Sequence, residues 1–209
     1  MKTKSLAWIR VGFGALVLVA VASQLRIHIR EGFDVVNFFG YFTNLSNIFA
    51  ALVFLYGGSL LLAGKGESAV FASVRGAAAL AMVIVGVVFS ILLRDVDLGT
   101  LQPWVNTLLH YVFPVVVLAD WLLAPPVKAL TKRYLLWWLV YPLVYVTYSL
   151  IRGAQTGWYA YPFLNPAHVG SRGGVAAYCV GITVLFLVVG WGLLAYAKRR
   201  RPVSKRRKA

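Results

Sequence analysis

Residues 41–47, Tyr41-Phe42-Thr43-Asn44-Leu45-Ser46-Asn47, open an apolar run that continues to Leu62. The run is long enough to cross a bilayer as a helix, which takes about 20 apolar residues. Its opening is unusual: four small polar side chains fall within positions 43 to 47. Hydrocarbon offers such groups no hydrogen-bond partner, so they must face other helices or a water-filled cavity. The segment therefore predicts one member of a membrane helix bundle with a polar interior. Its natural counterpart is His110, the histidine well inside a second apolar run.

The rest of the chain agrees with a polytopic, all-α membrane protein. Of its 209 residues 60% are hydrophobic and only 13% charged, too apolar for a soluble domain. Six spans follow from the apolar runs: Leu6 to Ile27, Phe38 to Leu62, Val74 to Leu93, Pro103 to Leu123, Tyr134 to Ile151 and Gly173 to Ala197. Pro103 suits a first helical turn and Pro125-Pro126 a stop. The first run follows Met1-Lys2-Thr3-Lys4 without a small-residue cleavage site, and is expected to be a retained helix. Residues 1–197 are thus a transmembrane domain and residues 198–209 a basic tail.

Charge sets the expected orientation. The net charge is +15, and eight of the 21 Lys and Arg lie between Lys198 and Ala209. With the N-terminus inside, 16 basic residues fall on the inner side and 5 on the outer, which predicts both termini cytoplasmic. Basic residues flanking a span point to anionic lipid as the partner of the tail, not to nucleic acid. A single cysteine, Cys179, excludes an internal disulfide. Three histidines without metal-ligand spacing give no reason to expect metal or haem, and no cofactor is expected.

Helical phasing sorts the polar residues. At about 100° per residue, Thr43, Asn44 and Asn47 share a face with Ala50 and Phe54, opposite Leu45, Ile48 and Leu52. Interhelical hydrogen bonding, worth about 0.6–2 kcal/mol each, accounts for Asn44, Ser46 and Asn47. In the fourth span Asn106, Thr107, His110 and Pro114 follow one face. An ionisable group at that depth is a functional candidate; a neutral histidine bonded to a neighbour is the equally weighted alternative. Thr43 and His110 come to similar depth, roughly 8–10 Å below the outer surface at 1.5 Å per residue. A hydroxyl and an imidazole so placed can form a nucleophile–base pair. Tyr141, Tyr145, Tyr148 and Arg152 make a helical stripe running outward, with Arg152 a possible carboxylate binder. The connector Gly157 to Pro166 is too aromatic for a free loop, and is expected at the interface or in the bundle mouth. Asp120 lies about 15 Å along the helix from His110, too far to orient it, and is assigned to the interface beside Trp121.

Several of these segments together resemble a bacterial six-span family, the Pr-six-Pr membrane proteins. They are residues 41–47, Leu108 to Pro114 with Asp120-Trp121, Tyr141 to Tyr145, Arg152-Gly153 and Trp158 to Leu164. The layout is more distantly similar to the androgen-induced membrane proteins, multi-pass hydrolases of fatty acid esters of hydroxy fatty acids. That resemblance implies an intramembrane threonine, matched by Thr43, and a histidine shortly before a proline, matched by His110 and Pro114.

The expected activity is an intramembrane lipid-ester hydrolase in the extracytoplasmic half of the cell membrane. Thr43 attacks and His110 takes its proton, while Asn44 or Asn47 serves the oxyanion. Asn106, Tyr145, Tyr148 and Arg152 complete the candidate substrate site. Two other readings stay open: a non-enzymatic lipid- or small-molecule-binding protein or transporter component, and a structural partner protein with this region packed solid.

Overall fold

The computed structural model describes residues 3–97, 99–127 and 130–200. They form no strand. Six helices are long and apolar enough to cross a membrane: α1 (Thr3–Arg30), α3 (Phe42–Leu62), α4 (Ala69–Leu93), α5 (Pro103–Leu123), α6 (Arg133–Thr156) and α7 (Arg172–Arg200). A short helix, α2 (Val35–Phe39), precedes α3, and the turn Pro162–Leu164 lies in the connector between α6 and α7. Large apolar side chains such as Trp137, Val180 and Trp191 are exposed on the outside, as a lipid-facing surface requires.

Small residues set the packing. Gly14 lies against the Ala51 carbonyl and Gly58 against the Ala7 carbonyl, which brings α1 and α3 into backbone contact. α4 is the central helix: 56% of its apolar window is buried, against 17% for α6 and for α7. Ser68 caps α4, its hydroxyl accepting the Phe71 N–H at 3.0 Å. The helix thus starts five residues before the expected Val74. The basic tail assigned to 198–209 begins inside α7, and residues 201–209 lie outside the described residues.

The end of the bundle that carries both helical termini holds an ion cluster. Asp120 takes the Arg10 guanidinium in a two-pronged contact (Nε 2.7 Å, Nη2 3.1 Å) and Arg75 Nη1 at 2.8 Å. Arg75 also donates to both Glu67 oxygens (2.8 and 3.3 Å) and to the Ala124 carbonyl at 2.7 Å. Arg10 and Asp120 are only 5% and 6% exposed. This corrects the interfacial assignment of Asp120. Its carboxylate ties α1, α4 and α5 together, because two arginines at that depth leave it no cheaper place than between them.

Candidate functional site

Two departures from regular α-helix shape the opposite end. Phe89–Leu93 in α4 and Leu108–Val112 in α5 are π-helical turns. Pro114 has no N–H for the His110 carbonyl and its ring crowds that oxygen, so the backbone widens just before it. Gly86 of α4 lets Pro114 and the His110 carbonyl approach, 3.2 and 3.4 Å from where a Cβ would stand. Phe89 then stacks on His110, ring centroids 3.8 Å apart and 22° from parallel. The π turn also breaks the expected face: Thr107 is exposed and bonds back to the Pro103 carbonyl, while His110 and Pro114 are buried.

His110 is held through Nδ1, 3.1 Å from the Asn106 carbonyl. A carbonyl can only accept, so Nδ1 carries the proton, and in the neutral ring Nε2 keeps its lone pair. Among the described residues nothing bonds Nε2. The Asn106 carbonyl therefore fixes the tautomer and orientation of the ring.

Thr43 sits in the first turn of α3 and is buried. Its N–H donates to the Tyr161 hydroxyl at 3.1 Å, and its Oγ1 lies 3.4 Å from the same oxygen. Tyr161 comes from the aromatic connector, which folds into the bundle mouth. Its ring is stacked on Phe163 (5.1 Å, 7°) and edge-on to Tyr41 (5.7 Å, 75°). Burial pushes its hydroxyl up from the ordinary tyrosine range, so it stays protonated and able to donate.

Three spaces surround these residues. A polar cavity of about 400 Å³ is lined by Thr43, Asn44, His110 and Tyr161 with Gln24 and His28 of α1. A narrow apolar slot of about 90 Å³ lies among α4, α6 and α7, and Thr43, Tyr145 and Tyr161 are on its wall. A third space, a groove of about 370 Å³, follows the outside of α4 and α7. Thr43 and His110 share the polar cavity, but no hydrogen bond joins them.

The remaining candidates divide. Asn44 lines the polar cavity while its amide donates to the Phe38 carbonyl at 2.7 Å. Tyr145 lines the slot and donates to the Gly40 carbonyl at 2.9 Å. Asn47 and Asn106 line none of the three spaces. Asn47 donates to the Thr43 and Leu109 carbonyls (2.9 and 3.2 Å), stitching α3 to α5, and its Oδ1 is buried without a partner, as is that of Asn106. Tyr148 is 45% exposed on the outer face of α6. Arg152 does not line the cavities itself but stands behind the polar one. Its Nη2 donates to Asn37 Oδ1 at 2.6 Å and its guanidinium lies 4.6 Å over Trp158, and both of those residues line that cavity. Nη1 of Arg152 is buried without a partner among the described residues. Sequence reasoning missed Tyr161 as an individual residue, although its connector was marked by aromatic content. It also gave Tyr141 little weight, yet that hydroxyl lies 3.0 Å from Ser46 Oγ and anchors α6 to α3.

No family model, curated protein or solved structure matches the chain.

Proposed function

We propose that the chain is a multi-pass membrane hydrolase of lipid esters, fatty-acyl or related, with Thr43 as nucleophile and His110 as general base. One observation carries this reading. A buried hydroxyl and an imidazole fixed through Nδ1, with Nε2 unbonded, face the same polar cavity. The resemblance to the androgen-induced family supports the same two roles. The basic-residue count supports cytoplasmic termini, a cavity in the extracytoplasmic half, and anionic lipid as partner of the tail.

In this mechanism Thr43 Oγ1 attacks the ester carbonyl carbon and its proton passes to His110 Nε2. With no direct bond between them, the proton crosses through one water or after substrate draws the two together. The tetrahedral intermediate collapses, and the departing alkoxide takes the proton from His110. Water then attacks the acyl-threonine, giving its proton to His110, and the carboxylic acid leaves as Thr43 is restored. Tyr161, rather than Asn47, is the donor beside Thr43 for the developing oxyanion.

The absent Thr43–His110 bond favours a second reading, in which His110 activates water directly and Thr43 and Tyr161 only bind the carbonyl. The remaining alternative is binding without turnover. Purified protein in nanodiscs, offered acyl esters, separates the three. The first expects hydrolysis that Thr43→Ala and His110→Ala both abolish, with an acyl group or fluorophosphonate trapped on Thr43. The second expects Thr43→Ala to retain partial activity without a trapped acyl group. No hydrolysis of any ester, with ligand binding intact, leaves the non-enzymatic reading.

A further inference from the structure

The polar cavity and the apolar slot share a wall. Thr43, Phe89, Leu93 and Tyr161 line both it and the apolar slot. Val88 and Ile182 in turn line both the slot and the groove between α4 and α7. That groove opens to the outside beside Ile91, 73% exposed. It lies where the bundle is least tightly built, since α7 buries little of its apolar window. Three spaces therefore stand wall to wall: a hydrogen-bonding chamber, an apolar slot reached past Thr43, and a groove on the outer surface. Together they would make a path if side chains on the shared walls give way.

We infer that this path binds a single-chain acyl ester with an uncharged, hydroxyl-bearing head, of the monoacylglycerol class. The head occupies the polar cavity, the ester lies at Thr43, and the tail leaves sideways between α4 and α7. Three observations fix the class. The tail route is apolar apart from a few hydroxyls and Cys179, so it suits hydrocarbon. The slot, about 90 Å³ against about 400 Å³ for the polar cavity, is the tighter of the two spaces and better suited to one chain than to two. The polar wall carries Asp97 but no Lys or Arg, and Arg152 stands behind Asn37 and Trp158 rather than on the wall. An anionic head would meet the Asp97 carboxylate and no lysine or arginine on that wall, whereas amides and hydroxyls (Gln24, Asn37, Tyr41) suit hydroxyls. The inference takes the Thr43 cavity as the reacting site, but binding along the path does not require turnover.

Cys179 offers a readout, because it is the chain's sole cysteine and lines the slot. The probe is 1-O-oleylglycerol, an ether that cannot be hydrolysed, added to protein in nanodiscs while N-ethylmaleimide labels Cys179. At ligand about tenfold above its Kd, about one site in ten is open and labelling slows about tenfold. Glycerol alone gives no protection, and oleyl phosphate, with the same tail and an anionic head, protects only at much higher concentration. Gly181 lines the groove and has no neighbour within 4 Å of a built Cβ, so a larger side chain fits there and fills the exit. Gly181→Trp is expected to remove protection by the oleyl ether but not by a 1-O-butylglycerol whose chain ends inside the slot. Gly181→Leu gives an intermediate loss and serves if the tryptophan variant does not fold. No protection by the oleyl ether overturns the binding path. Undiminished protection in both Gly181 variants overturns the sideways exit, and equal protection by oleyl phosphate overturns the uncharged head. Ester hydrolysis, assayed separately, can fail while protection holds, or hold while protection fails.

Discussion

The two ends of the bundle treat buried polarity in opposite ways. At the end carrying the helical termini, Asp120 accepts three charge-assisted hydrogen bonds and Arg75 is met by Glu67, Asp120 and the Ala124 carbonyl. At the other end the groups are mostly neutral and their bonding is incomplete. Among the described residues nothing bonds Nε2 of His110, and the side-chain oxygens of Asn47 and Asn106 are buried without partners. A saturated network holds helices together and has nothing left to offer a ligand. An unsaturated one beside a cavity costs stability, and it is where binding or chemistry can be placed.

That contrast can be broken from either side. The largest effect is expected from Asp120→Ala, which leaves Arg10 and Arg75 buried around a missing carboxylate. Loss of one partner in such a cluster costs about 3–5 kcal/mol. Thermal unfolding in detergent should show it, while activity per folded molecule stays unchanged. His110→Ala should do the reverse, lowering ester hydrolysis by about 10²–10⁴-fold, the usual worth of a general base, with little change in unfolding temperature. If it instead unfolds the protein as Asp120→Ala does, the two ends are not different in kind.

Tyr161→Phe comes next. It removes the hydroxyl that accepts the Thr43 N–H, and an unsatisfied buried donor costs about 1–3 kcal/mol. A fall in kcat beyond the loss of folded protein, measured in the same preparation, would set its role at the oxyanion apart from packing. Asn47→Ala should have the smallest effect, about 0.6–2 kcal/mol for the bonds between α3 and α5, read as unfolding temperature.

How far the sequence reaches follows from the same contrast. Helix length and composition suffice to find six spans, because a bilayer sets the length of a crossing helix. Phasing likewise identifies the buried side of α3: Asn47, Ala50 and Phe54 are buried while Leu52 is exposed. The errors cluster at charges and at irregular backbone. The expected span starts at Val74 although α4 starts at Ala69, and the partners that neutralise the Arg75 guanidinium lie 8 and 45 positions away, beyond what local composition shows. Asp120 reads as interfacial for the same reason. Phasing fails for Thr107 because a π turn intervenes before Pro114; that proline was the available signal. Tyr161 was legible only as one of several aromatics, since its bond to Thr43 spans 118 positions.

The two π turns have a consequence in residue counting. A π turn spends one more residue on a turn than an α turn does, which shifts all later side chains around the axis relative to those before it. α4 and α5 each contain such a turn, and they meet where Phe89 covers His110. Each helix therefore carries a one-residue insertion relative to a regular helix. Deleting a single residue between Leu108 and Val112 would remove that insertion and return α5 to regular α pitch, leaving His110 and Asp120 near their present faces. The same deletion in a regular turn of α5 would rotate one half against the other by about 100°. The π turn is therefore the point in α5 where the chain can lose a residue without uncoupling the two ends of the molecule.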